Sequence, residues 1–393
     1  MPLRIGVVGA GGFGRFAMAS FAPLAEVKAT AVYNTDPNRA RVVAERYGAS
    51  VCTSLLDLVS RPDVDIVYVA SPPAAHAPAV LEALRHGKHV WVEKPLATTR
   101  EHVQAIARAA EATGLKVGID YVLRFNPLYR WAVALSRSGI LGSLRHMNLE
   151  NDACDEQLPP HHWFWNPEVS GTILVEHGVH FFDIASQLAG APGVLVYSEA
   201  WRRPSHSFAD RVLAVTRYGD VPGTFYHAFD KPRRVERTQF RLVFDMGYVL
   251  VLGWMPVDLQ VEAYVDEEGL EYLQQTAKAG YLPVGAGLTA PVRATLEVVE
   301  TYQGADAEMM GRGLKRRATH FVRLHLNCPE GKPAIYARAI QAGMLDFIRS
   351  IQEPDYTPEV TLQDAIRSVS LALDAVEHTI YKETQGEDMS DST

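Results

Sequence analysis

The sequence predicts an α/β protein with two parts, an N-terminal doubly wound parallel sheet and a C-terminal α+β region built on a large, mostly antiparallel open sheet. Three observations carry this reading. The chain opens on an apolar run, Leu3 to Val8, that enters the glycine turn Gly9-x-Gly11-x-x-Gly14. Apolar strands then alternate with helix-period segments as far as Tyr121. Beyond that point, strand patterns follow one another with turns rather than helices between them.

Each element has a local reason. After the glycine turn, Arg15 to Leu24 is helix-compatible and Val27 to Tyr33 reads as a second strand, completing a βαβ unit. Asp36 followed by Pro37 has the form of an N-cap and first helical residue. Ile66 to Ala70 reads as a third strand, and His76 to His86 as a helix closed by Gly87. His89 to Glu93 is a fourth strand, Thr99 to Thr113 a helix capped by threonine and ended by Gly114, and Lys116 to Asp120 a fifth strand. The expected domains are 1–121 and 122–384, followed by a polar, acidic tail over 385–393 that reads as disordered.

In the second part, helices are expected over Pro127–Ser138 and Glu176–Ala189, with a strand at Arg145–Asn151 between them. Further strands follow at Val194–Arg203, Arg211–Tyr218, Gly223–Phe229, Gln239–Phe244 and Tyr248–Leu252. Residues 254–330 mix acidic, aromatic and glycine segments and read equally as a lid, an arm or a surface insertion. Two helices, Ala334–Gln352 and Leu362–Lys382, close the chain.

Composition narrows the partners. With 393 residues, 47% of them apolar, the chain can bury a large core, and its net charge of −8 disfavours nucleic acid and anionic membranes. Its three cysteines show no CxxC spacing, which argues against a disulfide framework or zinc knot and fits a reducing cytoplasm. No apolar run has membrane-spanning length, and a strand starting at Leu3 leaves no room for a cleaved signal peptide. Small molecules are the expected ligands.

The glycine spacing has a physical purpose. One glycine makes the tight turn, one lets the backbone approach a pyrophosphate, and one allows close helix–strand packing, with the anion held at the helix N-terminus. Gly9, Gly11, Gly12, Phe13 and Gly14 are therefore expected at a dinucleotide. The acidic residue that would hold the adenosine ribose is replaced by Asn34, followed by Thr35, and Arg39 is close enough in sequence to meet a 2′-phosphate. Both NAD and NADP remain open.

Four segments in order then resemble one family: the glycine turn, Ala70-Ser71-Pro72-Pro73-Ala74-Ala75-His76, Glu93-Lys94-Pro95, and Glu176-His177-Gly178-Val179-His180-Phe181-Phe182-Asp183. Together they resemble the Gfo/Idh/MocA family, the glucose-fructose oxidoreductase and inositol dehydrogenase group. The resemblance implies a Rossmann domain binding NAD or NADP, a sugar or polyol substrate, and a homodimer or homotetramer. It implies hydride transfer at a secondary or anomeric alcohol, with Lys94 and His180 handling the proton. Glu176 stands where the family pattern has an aspartate, four residues before the histidine.

Lys94 follows a strand at the carboxyl edge of the sheet, where open α/β folds place their ligands, and Pro95 makes a cis peptide bond possible there. Ser71, Pro72, His76 and Glu93 are expected near the nicotinamide. On the substrate side the resemblance points to Tyr121, Arg124 and Asn126, with His177 as a weaker candidate. His162, Trp163 and Trp165, in an aromatic loop, read either as a sugar-stacking surface or as packing. No metal is expected, because a lysine ammonium would oppose a cation there. Two other readings fit the same residues. One is a glycosidase or lyase using tightly bound NAD for transient oxidation, and the other is a non-catalytic ligand sensor.

Overall fold

The computed structural model describes residues 1–204, 206–311 and 313–383, so the expected tail at 385–393 lies outside the described residues. Strands β1 (Leu3–Val8), β2 (Val27–Tyr33), β3 (Ser50–Val51), β4 (Ile66–Val69), β5 (His89–Val92) and β6 (Val117–Ile119) form one sheet in the order β3-β2-β1-β4-β5-β6. All its pairings are parallel. Helices α1 (Gly12–Phe21), α2 (Pro37–Tyr47), α3 (Leu55–Val59), α4 (His76–Arg85) and α5 (Arg100–Thr113) make the crossovers. The strand order reverses between β1 and β4, which opens a crevice at their carboxyl ends.

Local chemistry sets the boundaries. The Asp36 side chain accepts from the Asn38 amide at the start of α2, and Thr99 caps α5 through the His102 amide. Gly114, at φ 68°, ends α5 in the left-handed region. Strand β3 and helix α3 have no counterpart in the sequence pattern, because two and five residues are too short to show a period.

The second sheet contains β7 (Leu144–Cys154), β8 (Gly193–Arg202), β9 (Ala209–Tyr218), β10 (Val221–Lys231), β11 (Arg237–Phe244), β12 (Gly247–Leu252), β13 (Asp258–Val265), β16 (Arg293–Thr301), β19 (His320–Asn327) and β20 (Ile380–Glu383). Its order is β16-β19-β13-β12-β11-β7-β10-β9-β8-β20, antiparallel except where β7 meets β10 and β8 meets β20. Helices α6 (Pro127–Ser138), α7 (Pro167–Ser170), α8 (Val179–Ala189), α9 (Glu267–Ala279), α10 (Gly331–Gln352) and α11 (Leu362–Glu377) complete the chain. Hairpins β14 (Tyr281–Gly285)/β15 (Leu288–Pro291) and β17 (Glu308–Gly311)/β18 (Leu314–Arg317) stand apart from this sheet.

Three expectations change. Residues 254–330 are neither lid nor arm, because β13, β19 and β16 extend the large sheet. The last helix stops at Glu377, and β-branched Ile380 leads a short strand that pairs with β8 instead of continuing to Lys382. The helix expected from Glu176 begins as a π turn, Leu174–Gly178, before α8 takes over.

Helix α10 joins the two halves. A β-carbon on Gly118 of β6 would lie 2.5 Å from Phe347, so this glycine is what lets α10 pack against the first sheet. At the other face of that sheet's first crossover, Gln341 donates to the Ser20 carbonyl at 2.8 Å.

Candidate active site

The nucleotide cradle is built from backbone. Gly9 has φ +103°, and a β-carbon there would sit 2.6 Å from the Ala70 carbonyl oxygen; one on Gly14 would sit 2.3 Å from the Gly9 oxygen. The space above Gly11 and Gly12 is open, and no side chain caps α1, so its first amides are left for an anion. Phe13 packs against Phe16 and Tyr336, with centroids at 6.0 and 5.9 Å. These residues fit a dinucleotide.

Asn34 follows the end of β2, and both ends of its amide are engaged within the protein. Its Oδ1 accepts the Ala10 amide at 2.9 Å and its Nδ2 donates to the Asp36 carbonyl at 3.1 Å, so it fastens the glycine turn to the end of β2. Thr35 and Arg39 are exposed beside it, with Arg39 paired to Asp36 at 3.4 Å. Ser71 Oγ is buried without a partner, next to exposed Pro72, and so offers a free donor in the loop after β4. His76 is buried, and its ring nitrogens contact the Pro95 and Ser71 carbonyls at 2.7 and 2.8 Å. A neutral imidazole donates to only one of these carbonyls, and in either tautomer the ring is wedged between the two loops.

Lys94 stands at the carboxyl end of β5, and the Lys94–Pro95 bond is cis. Its Nζ donates to the Glu176 carbonyl at 2.7 Å and to Glu176 Oε1 at 2.5 Å, so a loop of the first sheet meets the π turn of the second half. His180, one α-turn on, is 3% exposed and its Nδ1 has no protein partner. Its ring lies 6.3 Å from Tyr121, 6.0 Å from Trp254 and 6.2 Å from His177. Burial first, and then the Lys94 and His177 charges, push the His180 imidazole well below its ordinary value. It is therefore neutral near pH 7. The site thus holds a neutral imidazole and an ammonium–carboxylate pair inside an aromatic wall.

A family profile described as "Oxidoreductase family, NAD-binding Rossmann fold" matches residues 3–121, and one described as "GFO/IDH/MocA C-terminal domain" matches residues 129–249. The chain belongs to the Gfo/Idh/MocA oxidoreductase family. It is 28% identical over 286 residues to a dTDP-3,4-didehydro-2,6-dideoxy-alpha-D-glucose 3-reductase from Saccharopolyspora spinosa, covering 71% of this chain and 85% of that protein. It is 37% identical over 161 residues to an inositol 2-dehydrogenase from Acidothermus cellulolyticus, covering 40% of this chain and 47% of that relative, about half its length. Its fold resembles the 3-ketoreductase KijD10 from Actinomadura kijaniata, solved with NADP and TDP-benzene, with a TM-score of 0.72, 18% identity, and coverage of 98% and 100% of the two chains.

In this Gfo/Idh/MocA chain several expected ligand residues are engaged elsewhere. Arg124 makes a buried two-pronged bond to Asp183, Nε to Oδ2 at 2.5 Å and Nη2 to Oδ1 at 2.7 Å, and also donates to the Glu359 carbonyl at 3.1 Å. Asn126 is fully buried. Its Oδ1 caps α6 through the Leu128 and Tyr129 amides, while its Nδ2 donates to the Pro256 carbonyl at 3.0 Å. Trp165 is buried, stacks on Phe208 at 4.5 Å and donates to the Leu158 carbonyl. His162 accepts the Phe164 amide and lies against Trp163, which is 37% exposed and remains the part of that loop free to meet a ligand. Tyr121 is buried with its hydroxyl unpartnered, beside His180.

His177, the weaker candidate, lies three residues from His180 and so beside it on the helix, and both rings face Trp254. Burial, then Lys94 and Lys332, lower His177 to about 3. Trp254, His227, Tyr336 and Lys332 also join the site, with no motif in the sequence to mark them. His227, on β10, is fully buried with neither ring nitrogen partnered and lies 5.5 Å from His177. Lys332 sits over the Trp254 ring at 5.1 Å, and Tyr336 meets the same indole edge-on at 5.2 Å. The signal for Trp254 was weak because it opens the segment 254–330, whose residue pattern fits no single element, and Lys332 stands at the start of α10 with no motif around it. Among the described residues no cluster of three or more His, Cys, Asp or Glu has metal-binding geometry, and no helix is long and apolar enough to cross a membrane.

Proposed function

We propose that the protein moves a hydride between a nicotinamide and a carbinol carbon of a sugar, inositol or related polyol, with His180 and Lys94 handling the proton. The observation that carries this is the Lys94–Glu176 contact at the carboxyl edge of the parallel sheet, with the buried His180 imidazole close enough to feel the Lys94 charge. The names of the dTDP-sugar and inositol relatives support a carbohydrate substrate. NAD or NADP, when bound, supplies or accepts the hydride.

The chain's own groups do the rest. Neutral His180 accepts the hydroxyl proton in oxidation and returns it to the carbonyl oxygen in reduction. The Lys94 ammonium, oriented by two bonds to Glu176, donates a hydrogen bond to that same oxygen and stabilises its developing negative charge. Trp254, beside His180, and Trp163, which is 37% exposed, give the sugar ring apolar faces to rest on. Exposed Val194 and Val196 on β8 and Tyr381 on the adjoining β20 support self-association as a homodimer or homotetramer.

The test is a panel of sugars, inositols and nucleotide-linked keto-sugars assayed with NAD and NADP. Lys94→Ala and His180→Ala are each expected to keep cofactor affinity and lose turnover by about 10²- to 10⁴-fold. Full turnover in both variants would overturn the assignment. Substrate conversion without added cofactor, with nucleotide copurifying, would favour internal redox instead.

A further inference from the structure

The most unusual group the mechanism leaves unused is a pair of buried carboxyls beneath Lys94. Val92 pairs with Ile119 where β5 and β6 run side by side, so the next residues, Glu93 and Asp120, leave the sheet together. The Asp120 amide donates to the Val92 carbonyl at 3.0 Å and the Glu93 amide to the Val69 carbonyl at 2.9 Å, which fixes both backbones. Glu93 is 7% exposed and Asp120 only 1%. Among the described residues, the one side-chain donor to either carboxyl is Tyr68, whose hydroxyl lies 2.8 Å from Glu93 Oε1; Asp120 Oδ1 is buried without a partner.

The groups facing this pair are few. Tyr68 approaches from β4, Lys94 from the next residue and Tyr336 from α10. Burial pushes both phenols up, so they stay neutral. Lys94 Nζ donates to the carbonyl and the carboxylate of Glu176, which offsets its charge locally. Two adjacent carboxyls with one donor between them cannot both ionise out of water, and a protonated one can donate to its neighbour.

We propose that Glu93 and Asp120 hold one proton between them and release it to solvent when the positively charged, oxidised nicotinamide binds at this edge, while the neutral reduced ring leaves it in place. This rests on the cofactor reading above. Burial independently supports it, raising Asp120 to about 7 and Glu93 well above its ordinary range. The sign follows from linkage: oxidised cofactor favours the deprotonated pair, so its affinity rises with pH, up to tenfold per pH unit for one proton. Preference between the two redox forms is therefore set by pH within the binding step itself.

Calorimetric titration of the full chain with NAD⁺, NADH, NADP⁺ and NADPH between pH 6 and 8, in two buffers of different ionisation enthalpy, tests this. The expected result is tighter binding of the oxidised form with rising pH, close to one proton released, and a flat profile for the reduced form. The two forms carry the same phosphates, so phosphate ionisation cancels in the comparison. Asp120→Asn is expected to flatten the oxidised profile, and Tyr68→Phe, which strips the donor from Glu93, to move its inflection to higher pH. Equal slopes for oxidised and reduced forms, a flat wild-type profile, or an unchanged slope in Asp120→Asn would overturn the proposal. Failure of all four nucleotides to bind would overturn the cofactor reading and this proposal with it. Should a variant not fold, the wild-type comparison of redox forms decides alone.

Discussion

Replacing Arg124 with methionine separates a structural role from a ligand role. In the wild type the guanidinium holds Asp183 through bonds of 2.5 and 2.7 Å and lies 3.7 Å from Asp364. The Asp183 side chain is 1% exposed, and without Arg124 its nearest remaining donor is Ser368 Oγ at 3.4 Å. Arg124→Met therefore strands a carboxylate in the core of α8, the helix that carries His180. Breaking one side of a buried pair costs about 3–5 kcal/mol. Asp183→Leu added to Arg124→Met removes the stranded charge, so the double variant should be closer to wild type than the single. Urea unfolding followed by far-UV circular dichroism and by tryptophan fluorescence measures this, with coincidence of the two probes checked first. An Arg124→Met protein with an unchanged midpoint but weakened substrate binding would refute the reasoning and return the arginine to the substrate side.

Three further outcomes are expected. His177, His180 and His227 are held neutral by burial, whereas in the unfolded chain they protonate near pH 6.5. Their contribution is thus intact above pH 6.5 and is lost as pH falls, by about 1.4 kcal/mol per pH unit for each histidine; His227→Phe should make acid unfolding correspondingly shallower, as measured by denaturation at stepped pH. Gly14→Ala forces a β-carbon to 2.3 Å from the Gly9 oxygen, so nucleotide affinity measured by calorimetry should fall at least tenfold. Asn34→Asp keeps an acceptor for the Ala10 amide but adds negative charge at the end of β2, so binding titrations should show NADP weakened relative to NAD.

Much of the frame was legible because it rests on local chemistry. Strand Leu3–Val8, the caps at Asp36 and Thr99, and the stop at Gly114 each depend on a few neighbouring residues whose types declare their roles. Motif order singled out Lys94 and the Glu176–Asp183 segment, and the structure brings Lys94 against Glu176. What the sequence hid is what depends on distant partners. Arg124 and Asn126 sit in a segment that looks ligand-facing, yet Asp183 and the Pro256 carbonyl claim them. His227 and Trp254 join the site from β10 and from the turn after β12, and no spacing within either segment announces the histidine at residue 177 that they meet.

The glutamate at 176 shows how such distant contacts change the meaning of a motif. Four residues before His180, it would be read as the group that orients the imidazole, yet its hydrogen bonds go to Lys94. The π turn from Leu174 to Gly178 presents both its main-chain carbonyl and its carboxylate to that ammonium. Single π turns are inserted into helices at functional sites because the extra residue re-aims what precedes it. Here the re-aimed residue crosses from the second half of the molecule to the cis-proline loop of the first. The longer side chain at this position therefore acts on the lysine, fixing where the ammonium can point, and leaves His180 to be tuned by burial and by the charge that Lys94 retains.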